Sequence, residues 1–388
     1  MIRQSHPLLS ALILATVILS ACQPSTPPVD INAQLTQAVQ TAFASIQQTQ
    51  IASIPSATNT PSATATLPPR TPPALPSTFV AASLNPLDAP HTYIQDSCQY
   101  LKDKWTSTNS TPGTIVMVVM IHSIIKGTIT DPLSQISVQD FNQLVNDLHD
   151  QGFTAINTQQ LADFLYTNAK IPQRSVVLIQ DDRKTAENFN DHFLPYYEKW
   201  GWPVVNAWIS SDDSITKQYL SGNVELEREG WVDHQAHGVI HNVPMSDNST
   251  DDYIRGELQG SIDFFQNNFG KTPIAIIWPG GGFGVRPVQM ARKLGYKLGF
   301  TTSPRGPLMF NWIPQQDQND PQNPWYIAEG PSGDPLMTLP RYFDNNAGSH
   351  IDEVRRIGNA ATAYAEQNKA TELEYYDIMC APAYGPIP

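Results

Sequence analysis

Two adjacent carboxylates, Asp181 and Asp182, follow directly after an apolar run in the stretch Ser175–Thr185. Such a run predicts a buried strand, and side chains along a strand alternate in direction. The two acids are therefore expected to point different ways where the strand opens into a loop. One can then bind a metal ion while the other accepts a proton. An isolated Asp-Asp pair is also typical of a solvated acidic turn, so its partners elsewhere decide between the two interpretations.

Three histidines lie close together further along the chain, at His234, His237 and His241. His237 and His241 are four residues apart, a spacing that one helical turn or a tight loop converts into two imidazoles on one face. With Asp182 as an oxygen ligand, two histidines and one carboxylate leave positions open for water, as a hydrolytic metal site requires. His234 is an alternative ligand for one of these positions. A lone His-x-x-x-His pair can also be purely structural.

The elements that position these residues are alternating apolar strands and amphipathic helices. Continuous apolar runs predict strands buried on both faces. They occupy residues 114–121, 175–180, 203–209, 273–278 and 297–301, and a further strand is expected within 336–343. The alternation with helices favours βα units, a parallel sheet and a closed or nearly closed barrel. In such barrels chemistry lies at the carboxyl ends of the strands, where His122 and the two acids are expected to meet.

The composition limits the classes of partner. The chain has 388 residues, 40% of them hydrophobic, which suffices for a sizeable core. Its net charge of −13 provides no basic surface to attract a phosphate backbone, so nucleic acid is not an expected partner. An uncharged or cationic substrate fits this charge better.

The N-terminal region has the pattern of an exported lipoprotein. Residues 1–21 combine Arg3, a short apolar run and a small-residue site, and resemble a bacterial lipoprotein signal peptide with Cys22 as the acylated residue. We therefore expect a lipid anchor in a bacterial envelope membrane, with the protein facing outside the cytoplasm. Residues 22–97 are rich in Pro, Ser, Thr and Ala and predict a mobile tether, with a possible short helix at 31–48. The folded domain is expected at 98–388.

Two cysteines remain once Cys22 carries lipid, namely Cys98 and Cys380. Outside the cytoplasm such a pair most often forms a disulfide, which here would tie the entrance of the domain to its exit. A metal-ligand role is the alternative for these two residues, although no Cys-x-x-Cys spacing supports it.

The ordered set Asp-Asp, His-x-x-x-His and Pro-Gly-Gly-Gly, each after a predicted strand, resembles the polysaccharide deacetylases of the NodB-homology type. Three further segments resemble the extracellular branch that includes the poly-N-acetylglucosamine deacetylases. They are Met120-Ile-His-Ser123, residues 141–153 and residues 291–300. The resemblance covers about residues 114–343.

This resemblance implies an α/β fold, a distorted (β/α) barrel with about seven parallel strands. It implies a divalent metal, usually zinc with cobalt, nickel or manganese as alternatives, held by Asp182, His237 and His241. Asp181 would be the general base. A backbone N–H of Gly280 or Gly281 would stabilise the tetrahedral oxyanion.

The resemblance also implies a proton donor to the departing amine and a cation that orients the base. The chain has no histidine after His350, and in the branch resembled a histidine at the end of an N-terminal strand takes the acid's place, which points to His122. Arg341 resembles an arginine of that branch and is the candidate that orients Asp181. A structural role is the alternative for both.

The chain departs from the family pattern beside the acids and in the third motif. Gln180 and Arg183 stand where the family usually has Phe and Gly, so Gln180 is expected to contact a ligand and Arg183 to place a cation beside the acids. The usual Arg and Tyr are absent from Ile277–Gly282. Trp278 is the first candidate to stack on a sugar ring, with a core position as the alternative.

The expected function is a lipid-anchored, metal-dependent hydrolase that removes N-acetyl or O-acetyl groups from an envelope or extracellular polysaccharide. The acetylated polysaccharide and the membrane are the expected partners of a monomer. Because of the departures above, a catalytically impaired glycan-binding protein on the same fold is the alternative.

Overall fold

The computed structural model describes residues 70–240 and 242–388. The predicted signal peptide, the lipidation site Cys22 and the possible helix at 31–48 lie outside the described residues, as does His241. Arg70–Pro388 forms one compact unit.

A curled sheet of parallel strands forms the centre of this unit. In chain order the strands are β1 (Asp88–His91), β2 (Ile115–Ile121), β3 (Ser123–Ile125), β4 (Gln135–Ser137), β5 (Thr154–Ala155), β6 (Arg174–Gln180), β7 (Val204–Trp208), β8 (Val232–Ala236), β9 (Ala275–Ile277), β10 (Leu298–Phe300), β11 (Ile313–Gln316) and β12 (Tyr342–Phe343). The sheet has the order β10-β9-β8-β7-β6-β2-β12, and β5 pairs with β6 beside this path. Its pairings are parallel. The prediction of a distorted βα barrel with about seven parallel strands is confirmed.

Helices connect the strands and cover the sheet. They are α1 (Ser97–Trp105), α2 (Val138–Asp150), α3 (Thr158–Thr167), α4 (Ala186–His192), α5 (Leu194–Trp200), α6 (Ser214–Glu229), α7 (Asp251–Asn268), α8 (Val285–Lys293), α9 (Asp344–Tyr375) and α10 (Ala381–Tyr384). Side-chain oxygens that accept from backbone N–H groups begin several of them, as Ser137 does for α2 and Asp213 for α6. The central strands β2 and β7 are buried along their whole length, because the barrel interior covers one face and helices cover the other.

The segment 339–343 joins the two edges of the curled sheet. Leu339 N–H donates to the Gly299 carbonyl at 2.7 Å, and Thr301 N–H donates to the Leu339 carbonyl at 2.9 Å. Three residues later β12 pairs with β2, with Tyr342 opposite Val119. The predicted strand within 336–343 is thus only two residues long as a strand, but this segment connects β10 to β2 and nearly closes the barrel.

The folded unit begins earlier than the predicted boundary between residues 97 and 98. Strand β1 pairs antiparallel with β11, and the Trp312 Nε1–H donates to the Phe79 carbonyl at 2.8 Å. The buried Arg305 guanidinium lies 3.3 Å from Asp88 and 3.1 Å from Glu329. The Pro-rich segment cannot form a core of its own, but from residue 70 onward it packs on the barrel. Strand β11 accordingly lies outside all the strands that the sequence predicts.

Two helices lie between β6 and β7. They meet at Phe193, because Pro195 in the first turn of α5 cannot donate a backbone hydrogen bond to continue α4. Of the three histidines, His234 lies in strand β8 and His237 follows that strand in a loop, one of the two arrangements predicted for the His237–His241 spacing, whereas His241 lies outside the described residues. Across residues 70–240 and 242–388, none of the helices combines the length and apolar character needed to span a bilayer.

A disulfide joins Cys98 in α1 to Cys380, as predicted, with 5.3 Å between the two Cα atoms. It links positions 282 residues apart and lies in a small apolar cluster with Leu101 and Tyr376. The two ends of the folded unit are therefore held together covalently.

We expect the C98S/C380S double variant to unfold with a free energy about 2–5 kcal/mol lower than the wild type, because the unlinked unfolded chain gains conformational entropy. Chemical denaturation of the unreduced proteins measures this difference. Peptide mapping of unreduced wild type should also recover a cross-linked Cys98–Cys380 peptide. Recovery of both cysteines as free thiols would contradict the structure.

Candidate active site at the carboxyl edge of the barrel

The predicted catalytic residues follow the ends of neighbouring parallel strands. His122 follows β2, Asp181 and Asp182 follow β6, and His237 follows β8. Parallel strands end at the same edge of a sheet, so the topology brings these side chains together although up to 115 residues separate them. The turn after β9 lies at the same edge, since Pro279 packs directly against Gly238.

Asp181 is buried and paired with Arg341. Arg341 Nη1 donates to Asp181 Oδ1 at 2.6 Å, and Arg341 Nε donates to the Thr301 carbonyl at 2.7 Å. Burial raises the pKa of the Asp181 carboxyl, but the guanidinium beside it, with smaller contributions from His122 and His237, outweighs burial and holds that pKa below its ordinary value. Asp181 is thus kept ionised and oriented, as a general base requires. The predicted pairing of Arg341 with Asp181 is confirmed.

His122 lies on the other oxygen of the same carboxylate. Its Nε2 is 3.6 Å from Asp181 Oδ2, and 27% of its side chain is exposed. Burial lowers the pKa of His122, and the negative charge of Asp181 opposes this shift. An imidazole that is partly exposed at the catalytic edge and in reach of the proposed base can exchange protons with a bound substrate.

Asp182 and His237 form the second part of the site. Asp182 adopts a left-handed backbone conformation with φ of 62°, which turns it away from the direction of Asp181. His237 Nδ1 lies 2.7 Å from the Ile277 carbonyl, which can only accept, so in the neutral imidazole the proton is on Nδ1 and the lone pair is on Nε2. That Nε2 faces Asp182 Oδ1 at 3.8 Å.

This pair of donors fits a divalent ion. Nitrogen and oxygen ligands that each lie about 2.1 Å from one ion are roughly 3–4 Å apart, as these two atoms are. The hydrogen bond from Nδ1 to a carbonyl is also the usual outer support of a metal-bound imidazole. Within the part of the chain that the structure describes, no group of three His, Cys, Asp or Glu side chains is arranged to hold a metal. The third predicted ligand, His241, lies outside that part.

Of the two predicted oxyanion donors, one is already engaged. Pro279–Gly281 forms a 3₁₀ turn in which the Gly281 N–H donates to the Trp278 carbonyl at 2.9 Å. Gly281 has φ of 71°, and a Cβ at this position would lie 2.4 Å from Thr302 Oγ1, so only glycine fits there. Gly281 is therefore a residue that shapes the turn, and Gly280 remains the candidate donor of the two.

The two residues that flank the acids do not have the roles predicted for them. Gln180 is fully buried, and its Nε2 donates to the carbonyls of Ile121 and His122 at 2.9 and 2.7 Å. It fixes the end of β2 beside the end of β6 and does not face a ligand. Arg183 turns away from the acids and donates to Asp213 Oδ1 at 2.6 Å, which anchors the first turn of α6.

Two predictions for other residues of this region are wrong. Trp278 has no exposed surface and donates from Nε1 to the Met337 carbonyl at 2.8 Å, so it belongs to the core and cannot stack on a sugar. His234 is not an alternative ligand. It lies on the outer face of the sheet, where Nδ1 is 3.0 Å from Glu227 Oε2 and Nε2 is 2.9 Å from Asn223 Oδ1.

The structure adds two residues that the sequence analysis did not single out. Lys184, on the loop after β6, is close enough to the two acids for their charges to act on it. Burial lowers the pKa of its ammonium group, and the charges of Asp182 and Asp181 oppose this shift only in part. Its position in the sequence, two residues after Asp182, is a signal that places it near the acids. Asp344 follows β12 and lies near His122. No sequence signal connected these two residues, because 222 positions separate them.

Comparison with known proteins gives a consistent assignment for the centre of this site. The family model "Polysaccharide deacetylase" matches residues 168–299. The putative polysaccharide deacetylase YxkH of Bacillus subtilis is 24% identical over 191 residues, which cover 48% of this chain and 64% of that protein. The alignment thus spans slightly less than two thirds of the relative's length.

Two solved structures resemble the chain at low identity. The Streptococcus pyogenes deacetylase PplD, solved with acetate, is 20% identical with a TM-score of 0.48, and covers 63% of this chain and 99% of its own. IcaB from Ammonifex degensii is 14% identical with a TM-score of 0.47, and covers 63% and 98%. Because both scores are below 0.5, the fold rests on the strand order described above. The residues that match the family model, 168–299, include Asp181, Asp182 and His237.

Proposed function

We propose that this protein is a metal-dependent deacetylase that hydrolyses N-acetyl, or alternatively O-acetyl, groups of an envelope or extracellular polysaccharide. The observation that carries the proposal is the arrangement around Asp181. A buried carboxylate is held ionised by Arg341 on one oxygen and faces His122 on the other. The Asp182–His237 pair lies at the same edge of the barrel. We further propose that the protein acts as a monomer anchored by lipid on Cys22 outside the cytoplasm.

Asp182, His237 and His241 would hold a divalent ion, with zinc as the first candidate. When bound, such an ion supplies a Lewis acid that polarises the acetyl carbonyl and acidifies water. The unprotonated Nε2 of His237 is in the correct tautomer for this role.

The chain's own residues would perform the proton transfers. Asp181 accepts the proton of the attacking water as the water oxygen bonds to the acyl carbon. The Gly280 N–H then donates to the oxyanion that develops on the carbonyl oxygen. His122 receives the proton that Asp181 has taken up, across the 3.6 Å between Nε2 and Oδ2, and donates it to the amine nitrogen as the carbon–nitrogen bond breaks. The free amine leaves, and the acetic acid formed loses its remaining proton to solvent to give acetate.

The departures from the family pattern do not obstruct this arrangement. Gln180 points into the protein and Arg183 pairs with Asp213, so neither side chain occupies the space in front of the acids. The alternative, a glycan-binding protein without turnover, is therefore an outcome for the activity assay to detect.

The D181N variant should release acetate about 10²–10⁴-fold more slowly than the wild type, because it lacks the general base. The assay uses N-acetylglucosamine oligomers and peracetylated sugars, with Zn²⁺, Co²⁺ or Ni²⁺ added. Absence of acetate release by the wild type with every metal, together with intact oligosaccharide binding, would favour the glycan-binding alternative.

The H237A and H241A variants should each lose bound metal, because each removes a proposed ligand. D181N serves as the matched control and should retain metal, since Asp181 is occupied by Arg341. Elemental analysis of the purified proteins measures the metal content. Unchanged metal in either histidine variant would show that the ligand was chosen wrongly.

As the pH is lowered, the R341M variant should lose its activity at a higher pH than the wild type does. Removing the guanidinium leaves burial to raise the pKa of Asp181, so the base becomes protonated earlier as the pH falls. The pH profile of kcat/KM measures this shift. R341K, which keeps a cation, should shift the acid limb less than R341M. Coincident acid limbs in wild type and R341M would exclude the proposed role.

A further inference from the structure

A cleft of about 460 Å³ lies between α2, the loop before β4 and the first turn of α9. This volume is within the range of about 300–1,000 Å³ that is usual for small-molecule sites. The cleft borders the catalytic edge, because Asp344 lines it and the backbone of His122 hydrogen-bonds the same carboxyl. None of the catalytic residues discussed above lines this cleft.

The lining of the cleft is acidic. It holds the carboxylates of Asp140, Asp147 and Asp344 and, among the residues the structure describes, no Lys, Arg or His side chain. Ionised carboxylates only accept hydrogen bonds, so a ligand must bring donors. The cleft is therefore built for hydroxyl groups or for a cation.

Asp344 provides the strongest indication that a ligand is missing. The residue is 5% exposed, and backbone N–H groups of its own helix turn and of His122 hydrogen-bond its carboxyl, whereas within the described structure Oδ2 has no hydrogen-bond partner. A buried acceptor without a partner costs about 1–3 kcal/mol, so such an atom usually has a functional or ligand-binding reason. Burial raises the pKa of Asp344 to about 6, which leaves it mostly ionised at neutral pH.

The two other carboxylates keep spare acceptor capacity. Asp147 Oδ1 accepts from Gln143 Nε2 at 2.8 Å, and Asp140 Oδ2 accepts from Ser137 Oγ at 2.7 Å. Each carboxylate offers about four acceptor positions, so most remain available. The side chains of Ile129 and Leu144 supply apolar surface in the same cleft, which suits the C–H face of a sugar ring.

We propose that this cleft is a subsite for a sugar unit that carries a free ammonium group, so that the protein binds partly deacetylated chains in preference to fully acetylated ones. The inference rests on the proposed function, because deacetylation of an amino sugar produces such a unit. An ammonium group brings three hydrogen-bond donors and a positive charge that complements the three negative carboxylates. The subsite would then hold a deacetylated sugar unit while a neighbouring acetylated unit of the same chain reaches Asp181.

Binding of glucosamine oligomers and N-acetylglucosamine oligomers of equal length tests the proposal, measured by calorimetry on the full chain carrying D181N. We expect tighter binding of the glucosamine oligomer and a loss of this preference at high salt, because screening weakens the ammonium–carboxylate attraction. Equal affinities, or tighter binding of the acetylated oligomer, would overturn the inference.

A matched pair of variants locates the binding. D147N should weaken glucosamine-oligomer binding about tenfold, the effect of losing one hydrogen bond to a charged group. D163N is the control, because Asp163 in α3 accepts from Gln159 Nε2 at 2.7 Å in the same i,i+4 arrangement but lies outside the cleft. Equal effects of D147N and D163N would contradict the assignment.

A variant that fills the cleft tests the proposal without relying on the removal of one carboxylate. Gly348 lines the cleft within α9, and a Cβ there would meet only Leu144 Cδ1 at 4.0 Å, so G348Y can fold with its ring in the cleft. G256Y, at an exposed helical glycine with open space around it, is the control. G348Y should lose binding of the glucosamine oligomer and G256Y should keep it. Unchanged binding by folded G348Y would overturn the inference.

The two proposals fail separately. Acetate release without a preference for the glucosamine oligomer would overturn the subsite alone. Cleft-dependent binding of glucosamine oligomers without acetate release, under every metal, would overturn the proposed deacetylase activity.

Discussion

A cation buried beside a carboxylate stabilises its anionic form against the cost of burial, and the pair of Asp181 and Arg341 is the contact on which the candidate site depends. Neither side chain is exposed by more than 3%. Arg341 belongs to the segment that joins the two edges of the curled sheet, whereas Asp181 ends a central strand. The ionised state of the proposed base is therefore coupled to closure of the barrel. Local unfolding of this segment would remove the cation and leave an unpaired buried charge.

A row of buried polar side chains supports the same edge from outside the barrel. Gln180, Asn206 and His234 are neighbours in register across β6, β7 and β8, and all three are fully buried. His234 and Asn206 both contact Asn223 of α6, and Gln180 holds the end of β2. Buried polar groups tolerate few alternative arrangements, so this row favours one strand register. A residue beside the catalytic acids can thus depart from the family pattern and still serve the site.

Several elements were predictable because their signals are local. The strands predicted at 114–121 and 175–180 from their apolar runs are present as β2 and β6. Other elements were missed because their stability comes from distant partners. Strand β11 has no apolar period of its own and forms by pairing with β1, more than 200 residues away. The folded unit begins at residue 70 rather than 98, and this long-range pairing is one of the contacts that include residues before 98 in it.

The sequence by itself determined the residues of the candidate site, since Asp181, Asp182 and His237 each follow a segment that their neighbours define as a strand or turn. It also predicted the pairing of Cys98 with Cys380, because the expected lipidation of Cys22 leaves these two cysteines as one pair. Only the tertiary structure decided which way each side chain points. It buried Trp278 and Gln180, turned Arg183 to Asp213, and brought Asp344 beside His122. The physical reason is that composition and spacing specify a chain's local elements, whereas burial and ion pairing depend on surfaces that meet only after the sheet has curled.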